Sequence, residues 1–419
     1  MSDPDTFFYR HGQLCCEEIE LNTLADQYGT PAYVYSKAAV LARWNEYERA
    51  LSGIPHRVCF AVKANSNLAV LAVLARAGAG FDIVSGGELQ RVLKAGGDPS
   101  TVVFSGVGKT APEIALALES GIHSFNCESE AEIELLSSIA SAQRFTASIA
   151  LRVNPDVDAR THPYISTGLR EHKFGVDISL AEDIYRRAAR LPGIAIEGVS
   201  CHIGSQLLEL DPLLEAADKT LSLVARLRAA GLPMRFLDLG GGLGVRYRPE
   251  EKSASISEFA ARLRPKLDAL QLTLMLEPGR SIVAEAGVLL TKVLLVKQNG
   301  GKTFVVVDGA MNDLLRPALY HAHHEIALLT EAPGGLSMTA DVVGPVCETG
   351  DFFARDRKLP SLQPGDGIAL RTAGAYGFVL SSNYNSRPRP CELLIDGSRV
   401  IVARQRETFE DLIRGESLP

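Results

Sequence analysis

The sequence predicts an α/β protein that consists of a (β/α)8 TIM-like barrel and a smaller C-terminal β domain, and three observations indicate this architecture. Eight short apolar runs alternate with helical stretches between residues 56 and 277. Beyond Arg280 the alternation stops, and strand patterns follow one another with turn residues between them. The chain has 419 residues, which is more than the roughly 250 residues of a typical barrel. The length therefore leaves room for a second domain.

The barrel prediction depends on the count and order of the elements. The predicted strands are His56–Ala64, Gly80–Ser85, Thr101–Gly106, His123–Cys127, Ala147–Asn154, Ile196–Gly204, Phe236–Gly240 and Leu272–Glu277. The predicted helices are Ser36–Gly53, Leu68–Ala77, Gly87–Ala95, Pro112–Ser120, Glu130–Ser141, Leu180–Leu191, Leu213–Ala230 and Ile256–Leu270. Strict alternation implies parallel strands with crossover helices, and eight such units fit a closed barrel better than an open sheet.

The C-terminal part is predicted to be an antiparallel β-sandwich or β-barrel domain, because its strands lack long intervening helices. Its predicted strands are Val288–Lys297, Thr303–Asp308, Met338–Val343, Gly367–Thr372 and Cys391–Ala403. We divide the chain into an N-terminal segment (1–32) that joins the β domain, the barrel (33–281) and the C-terminal β domain (282–419).

Composition excludes several classes of protein. The chain is 46% hydrophobic and 22% charged, which is typical of folded globular proteins and not of disordered ones. Its net charge of −7 gives no general attraction to nucleic acid or to anionic membranes. Because the first ten residues are polar and no apolar run spans a bilayer, we expect a cytoplasmic protein. We expect free thiols, because the seven cysteines are an odd number without paired spacing.

Polar residues and glycines recur where the predicted barrel strands end, and barrel active sites lie at that edge. They are Lys63, Asp82, His202, Ser205, Gly240, Gly241, Gly242, Glu277 and Arg280. A lysine in an apolar strand is costly to bury unless it is paired or covalently bound. Taken alone, Lys63 could equally be a lysine whose side chain reaches solvent. The three consecutive glycines alone would favour a flexible turn.

Taken together, these residues indicate a pyridoxal 5′-phosphate site. A lysine can form a Schiff base with the cofactor, glycine amides and an arginine can bind its phosphate, and a carboxylate can keep its ring nitrogen protonated. A dinucleotide site is excluded, because the glycines of Gly240–Gly244 lack the required spacing and no helix follows them.

Longer motifs resemble the fold-type III pyridoxal-phosphate-dependent decarboxylases, and among them the diaminopimelate decarboxylase family, over essentially the whole chain. The motifs are FAVKAN around Lys63, GFDIVSGGEL around Asp82, HKFGV at His172–Val176, CHIGSQ around His202, GGGLG at Gly240–Gly244, EPGR at Glu277–Arg280, DGAMN at Asp308–Asn312, LRPALY at Leu315–Tyr320, GPVCETGD at Gly344–Asp351, AGAYG at Ala373–Gly377 and SSNYNSRPRP at Ser381–Pro390. The resemblance implies an alanine-racemase-like barrel and a homodimer with shared active sites.

The resemblance also implies a role for each matching residue. Lys63 would hold the cofactor covalently with Asp82 nearby, His202 would stack on its ring, and Glu277 would pair with its ring nitrogen. Its phosphate would be bound by Gly240, Gly241, Gly242 and Ser205. Tyr376 and Arg280 would also lie beside the cofactor. Cys347 would come from the partner subunit and return a proton to the substrate.

The implied reaction is decarboxylation of meso-diaminopimelate at its D-centre to give L-lysine, the last step of lysine biosynthesis. The distal carboxylate would be bound by Arg280, Arg316 and Tyr320, near Tyr376, and the distal ammonium by Glu348. Leu208 departs from the family pattern, where a more polar residue is expected.

Two alternatives remain open on the sequence. One is a decarboxylase of ornithine, arginine or carboxynorspermidine, although paired arginines would repel a substrate that ends in a cation. The other is a regulatory binding protein that keeps the fold without the reaction, against which Lys63 and Cys347 argue. The cluster His321, His323, His324 and Glu325 matches no standard zinc spacing, so we expect no metal.

Overall fold

The computed structural model describes residues 6–158, 173–268, 271–332 and 336–419. They form two units that the chain enters more than once. The first, the barrel unit, comprises Ala42–Val245 and Lys252–Ile282. The second, the β unit, comprises Met1–Leu41, Arg246–Glu251 and Val283–Pro419. The β unit is therefore assembled from three separate stretches of chain.

The strands and helices of the described residues are numbered in chain order. The strands are β1 (Phe7–Arg10), β2 (Gln13–Cys16), β3 (Ile19–Glu20), β4 (Ala32–Ser36), β5 (His56–Ala61), β6 (Gly80–Ile83), β7 (Val102–Phe104), β8 (Ser124–Cys127), β9 (Ala147–Asn154), β10 (Val176–Asp177), β11 (Ile194–Ser200), β12 (Phe236–Asp238), β13 (Thr273–Leu276), β14 (Gly287–Asn299), β15 (Lys302–Val307), β16 (Ile326–Leu328), β17 (Ser337–Val343), β18 (Phe352–Pro360), β19 (Gly367–Leu370), β20 (Cys391–Asp396) and β21 (Arg399–Arg404). The helices are α1 (Leu21–Tyr28), α2 (Lys37–Ala50), α3 (Leu68–Arg76), α4 (Gly86–Lys94), α5 (Ala111–Ser120), α6 (Glu130–Gln143), α7 (Ala181–Ala188), α8 (Asp211–Ala229), α9 (Ile256–Asp268), α10 (Arg280–Val283), α11 (Arg316–Tyr320) and α12 (Phe409–Leu412).

Eight parallel strands close into a barrel in the barrel unit. Their order is β5, β6, β7, β8, β9, β11, β12 and β13, and β13 pairs with β5. The two-residue strand β10 adds to the end of β9. All eight strands predicted from the apolar runs are present, so the predicted fold class is confirmed.

Side-chain caps keep the connections after the early strands short. Ser85 begins α4 by accepting a hydrogen bond from the backbone N–H of Glu88, and Ser129 does the same for Glu132 at the start of α6. Thr110 and Glu113 form a capping box at the start of α5. Each cap contributes about 1 kcal/mol to helix stability. Because these three helices begin soon after the strand ends, the connections that follow β6, β7 and β8 are short turns.

The interior of the barrel is filled by apolar side chains and is not a channel. One buried cluster consists of Cys59, Val103, Ala150, Phe236 and Met275.

The space beside Phe236 is created by a glycine on the neighbouring strand. A Cβ atom at Gly198 of β11 would lie 2.2 Å from the Phe236 ring. A larger residue at position 198 would therefore force the ring out of the interior.

The main sheet of the β unit has the order β18-β17-β15-β14-β4-β20-β21, and β19 pairs with both β14 and β16. Most pairings are antiparallel, as predicted, but β15 with β17 and β20 with β4 are parallel. Strand β4, which precedes the barrel in the chain, lies between β14 and β20 in this sheet. The separate N-terminal sheet has the order β1-β2-β3.

The prediction of a single strand over Cys391–Ala403 is wrong. The chain turns back between β20 and β21, which form an antiparallel hairpin. Gly397 has a φ of 62° at this turn, a conformation that glycine adopts at little cost. Within the described ranges, no helix combines the length and apolar character needed to cross a membrane.

Candidate active site

Lys63 lies where the first barrel strand ends, in a single 3-10 turn (Val62–Ala64). The prediction that Lys63 belongs to the strand itself is wrong. Strand β5 ends at Ala61, and the turn is closed by the backbone N–H of Asn65, which donates to the carbonyl of Val62 at 3.0 Å. The Nζ of Lys63 forms an ion pair with Asp82 of β6, whose side chain is fully buried. Pairing offsets the cost of burying the Asp82 carboxylate.

Asp238 and Glu277, which end or directly follow neighbouring strands β12 and β13, form a buried carboxyl pair. Asn126 Nδ2 donates to Asp238 Oδ2 at 2.8 Å and to Glu277 Oε1 at 3.1 Å. The hydroxyl of Ser105 donates to the same Glu277 oxygen at 3.2 Å. Burial raises the pKa of both carboxyl groups, and the charges of Asp238 and Asp82 raise the pKa of Glu277 further, well above its usual range.

His202 follows β11 and keeps a neutral ring. The backbone N–H of Gly241 donates to its Nδ1 at 3.2 Å, so Nδ1 carries no proton. Burial, followed by the charges of Arg152 and Lys63, lowers the pKa of His202 well below its usual value. The hydrogen of the neutral ring is therefore on Nε2.

The glycine loop after β12 is tightly enclosed. A Cβ atom at Gly241 would lie 2.2 Å from the carbonyl oxygen of Glu277, and Gly240 and Gly242 have positive φ angles of 65° and 107°. Only glycine fits these positions without strain. The N–H of Gly240 donates to Asp238 at 2.8 Å and that of Gly241 to His202, so these two amides already have partners within the protein.

A hydroxyl and a cation meet beside this loop. Arg280 begins α10, and its Nη2 donates to Ser205 Oγ at 2.9 Å while its Nε lies at 3.3 Å. The arginine is 7% exposed. A buried guanidinium beside a hydroxyl is a favourable partner for a phosphate group. The barrel residues predicted from the sequence, from Lys63 through Arg280, are thus gathered at one edge of the barrel.

The remaining predicted site residues lie in the β unit. Cys347 is the one exposed cysteine of the seven, and its backbone N–H donates to Asn385 Oδ1 at 2.9 Å. Asp351 holds the loop around Cys347 by accepting hydrogen bonds from the backbone of Val346 and of Met311, each at 2.7 Å. The expectation of free thiols is confirmed, and the exposure of Cys347 separates it from the six buried cysteines.

Arg316 begins α11 and is 5% exposed. Its guanidinium carbon lies 4.4 Å from the centre of the Tyr247 ring, and its Nη1 is 2.9 Å from Nε2 of His324. Tyr320 is the last residue of the same helix. The helix and its neighbours thus hold a cation in a defined position.

Two other predicted residues have distinct surroundings. Glu348 is exposed and raises the pKa of the Tyr384 hydroxyl. Tyr376 is half-buried, with a φ of 54°. Of the HKFGV motif, His172 lies outside the described residues. Leu208, which departs from the family pattern, is half-buried after β11.

The histidine cluster after α11 has partners other than a metal. His323 lies 3.0 Å from Arg357 and 3.3 Å from Glu325, whereas His324 is fully buried against Arg316. Among the described residues, no group of three or more histidine, cysteine or acidic side chains is arranged to hold a metal ion.

Three polar residues of the barrel mouth were not predicted as site residues. They are Ser105, Asn126 and Asp238, which surround Glu277. A signal was present in the sequence, because Asn126 interrupts an otherwise apolar strand and Asp238 ends another.

Comparison with known proteins gives consistent matches. The family model for the pyridoxal binding domain of pyridoxal-dependent decarboxylases matches residues 37–284. A diaminopimelate decarboxylase of Pseudomonas aeruginosa is 55% identical over 414 residues, which cover 99% of this chain and 99% of that protein. One of Vibrio cholerae is 52% identical over 416 residues, with the same coverage of 99% on both sides.

Solved structures agree with these matches. Diaminopimelate decarboxylase from Helicobacter pylori complexed with L-lysine superposes with a TM-score of 0.91 at 45% identity, covering 94% of this chain and 98% of that chain. The enzyme from M. jannaschii in co-complex with L-lysine gives a TM-score of 0.94 at 36% identity, covering 99% and 98% of the two chains. The resemblance drawn from the sequence motifs is confirmed.

Proposed function

Because this chain belongs to the diaminopimelate decarboxylase family of pyridoxal-dependent decarboxylases, we propose that it removes the carboxylate at the D-centre of meso-2,6-diaminopimelate and releases L-lysine and CO2. The observation that carries the proposal is the gathering of Lys63, Glu277, Ser205 and Arg280 at one edge of the barrel. These are the groups that a pyridoxal phosphate requires.

The residues at the barrel mouth fit this cofactor. The glycine loop carries no side chains that would keep a ligand from its backbone. Ser205 and Arg280 supply a hydroxyl and a cation for a phosphate. Oδ1 of Asp82 is buried without a hydrogen-bond donor among the described residues, as expected where a ligand completes a site.

When bound, pyridoxal phosphate supplies an electron sink that accepts the electron pair left behind by CO2. Lys63 would hold the cofactor covalently through its ε-amino group, which Asp82 would position. Glu277 would pair with the ring nitrogen, and the neutral ring of His202 would stack on the cofactor. Gly240, Gly241 and Gly242 would shape the phosphate site together with Ser205 and Arg280, and Tyr376 would be a further residue that binds the cofactor.

Cys347 returns a proton to the substrate Cα after CO2 has left. A thiol is a weak acid, so it can carry a proton and donate it to a carbanion. Its exposure supports this role, because the six buried cysteines cannot meet a substrate.

Substrate choice depends on groups that recognise the distal charges. Arg316 and Arg280 carry guanidinium groups suited to a carboxylate, Tyr320 and Tyr376 would add to substrate binding, and Glu348 would bind the distal ammonium. A substrate whose far end is only a cation meets repulsion from the two arginines. This charge pattern favours diaminopimelate over ornithine or arginine.

We further propose a homodimer in which Cys347 and Glu348 serve the active site of the partner subunit, in the cytoplasm. The exposure of both residues in a single chain supports this arrangement. A monomer would then lack the proton donor.

The test measures L-lysine and CO2 release from meso-diaminopimelate with added cofactor, for wild type, Lys63→Ala and Lys37→Ala. Lys37 is the matched control, because it pairs with Asp396 on the surface of the β unit. We expect wild type and Lys37→Ala to be active and Lys63→Ala to lose activity. Borohydride reduction followed by peptide mapping should attach the cofactor to Lys63. Inactive wild type that binds the cofactor would overturn the substrate assignment.

A further inference from the structure

The histidine cluster after α11 contains one residue whose environment differs from its neighbours. His324 is fully buried, whereas His321 and His323 are partly exposed. His324 lies between the end of α11 and the start of β16, where the backbone N–H of Arg371 donates to the carbonyl of Glu325 at 2.8 Å. The sheet therefore fixes the backbone beside His324.

The hydrogen bonds of His324 define its protonation. Its Nδ1 lies 2.8 Å from the carbonyl oxygen of Arg371, and a carbonyl can only accept, so Nδ1 carries the proton. Its Nε2 lies 2.9 Å from Nη1 of Arg316, and a guanidinium can only donate, so Nε2 is the acceptor. The ring is thus a neutral tautomer whose two hydrogen bonds connect the Arg371 backbone to the Arg316 guanidinium.

Tyr247 restrains the same guanidinium from a second direction. The Arg316 guanidinium lies over the Tyr247 ring at 4.4 Å, which is a cation–π contact. The His324 ring meets the Tyr247 ring nearly edge-on, with centroids 5.5 Å apart and an interplanar angle of 78°. The three side chains therefore form one packed group within the β unit.

The charge of this group matters for substrate binding. A neutral imidazole and an aromatic face hold the guanidinium of Arg316 without placing a negative charge against it. A pre-oriented guanidinium binds an incoming carboxylate more tightly, because less side-chain freedom is lost on binding.

We propose that His324 is a positioning residue which, together with Tyr247, fixes Arg316 and thereby sets the preference for a substrate with a distal carboxylate. The inference rests on the proposed function, in which Arg316 binds that carboxylate. It gives His324 a role in specificity through Arg316, without direct contact with the reacting atoms.

The experiment compares His324→Asn with His324→Gln. Asparagine can donate to the Arg371 carbonyl but provides no acceptor at the position of Nε2, whereas glutamine can place an acceptor there. His323→Asn is the matched control, because His323 contacts Arg357 and Glu325. Tyr247→Leu removes the aromatic face on the other side of Arg316 and keeps the test informative should one variant fold poorly.

Two compounds provide the readout: meso-diaminopimelate, and D-lysine, which has the same D-centre and distal nitrogen but no distal carboxylate. D-lysine is measured as a substrate, or as a competitive inhibitor where its turnover is slow. We expect His324→Asn and Tyr247→Leu to raise KM for meso-diaminopimelate about tenfold, the effect of losing one charge-assisted hydrogen bond or its equivalent. Their kcat, and their constants for D-lysine, should match wild type.

His324→Gln should recover most of the lost preference, and His323→Asn should retain all of it. The inference would be overturned if His324→Asn and Tyr247→Leu weakened the binding of meso-diaminopimelate and D-lysine equally, or if they left the preference between the two compounds unchanged. Activity of the wild type on meso-diaminopimelate would still support the proposed function in either case. Wild type without activity on meso-diaminopimelate would instead defeat the proposed function, and the inference with it.

Discussion

Asp238 and Glu277 lie at the ends of neighbouring barrel strands, and Asn126 donates a hydrogen bond to each of them. Burial raises the pKa of both carboxyl groups, and the charge of Asp238 raises the pKa of Glu277 further. Folding therefore favours proton binding by two groups that are ionised in the unfolded chain at neutral pH.

The first prediction concerns the pH dependence of stability. A carboxyl group whose pKa is raised on folding stabilises the protein at low pH, and this contribution declines as pH rises from about 4.5 towards the folded pKa, by up to about 1.4 kcal/mol per pH unit for each proton. Asp238→Asn removes one charge beside Glu277 and lowers its pKa, so the decline should end at a lower pH. Urea unfolding of the cofactor-free proteins across the pH range measures the free energy of unfolding at each pH. Asp218→Asn, at an exposed carboxylate paired with Lys266, is the control. Equal pH profiles for wild type and Asp238→Asn would contradict the coupling.

The second prediction concerns Glu88, the third residue of α4. Burial raises the pKa of Glu88 to about 7, and its carboxyl group accepts a hydrogen bond from the backbone of Val84 at 2.7 Å. Stability should therefore fall as pH rises from about 4.5 to about 7, with a slope of at most about 1.4 kcal/mol per pH unit. Glu88→Gln keeps the acceptor but cannot titrate, so its unfolding free energy should be flatter in this window.

Glu113 provides the matched control for Glu88 at the equivalent position of α5. Its pKa is lowered by hydrogen bonds from Gly86 and Thr110, so its contribution has the opposite sign and is lost as pH falls. Glu113→Gln should therefore leave the decline between pH 4.5 and 7 intact. The same decline in Glu88→Gln would show that another group causes it.

The third prediction concerns the glycine loop. A methyl group at Gly241 would collide with the carbonyl of Glu277 at 2.2 Å, so Gly241→Ala should displace the loop. We expect destabilisation of about 1–3 kcal/mol and weaker cofactor binding, measured by absorbance titration. Gly108→Ala is the control, because a Cβ atom there meets nothing within 4 Å. Unchanged cofactor affinity in Gly241→Ala would place the phosphate elsewhere.

The fourth prediction tests the shared active sites. Lys63→Ala and Cys347→Ala should each be inactive alone. If each site combines Lys63 of one subunit with Cys347 of the other, random mixing gives heterodimers that contain one intact site, and about a quarter of wild-type activity should return. Mixing either variant with itself is the control. No recovery, despite subunit exchange shown by mass spectrometry, would place both residues in the same subunit's site.

The barrel could be predicted from the sequence because its signal is local. Each strand is a short apolar run and each helix begins at a capping residue such as Ser85 or Ser129. The same count of eight strands also predicted that the polar residues at the strand ends lie together, since the carboxyl ends of barrel strands meet at one edge.

Other features depend on contacts between distant parts of the chain, which no local pattern contains. The hydrogen bonds from Asn126 join residues 112 and 151 positions away. Tyr247 packs on Arg316 although the two are far apart in sequence. The hairpin at Gly397 was missed because the apolar pattern continues on both sides of the turn. Its single glycine was a weak signal beside the length of the run.

The central position of β4 has a consequence for the order in which the protein can be made. This strand precedes the barrel in the chain and leaves the ribosome before it, yet its two neighbours in the sheet, β14 and β20, are synthesised after the entire barrel. Until then β4 exposes both edges to the cell. A nascent chain that stalls between the barrel and the C-terminus would therefore present an unprotected strand to other chains, and such edges invite aggregation. For the same reason, a fragment that begins at Val283 could not be expressed as a self-sufficient domain, since the middle of its sheet would be missing.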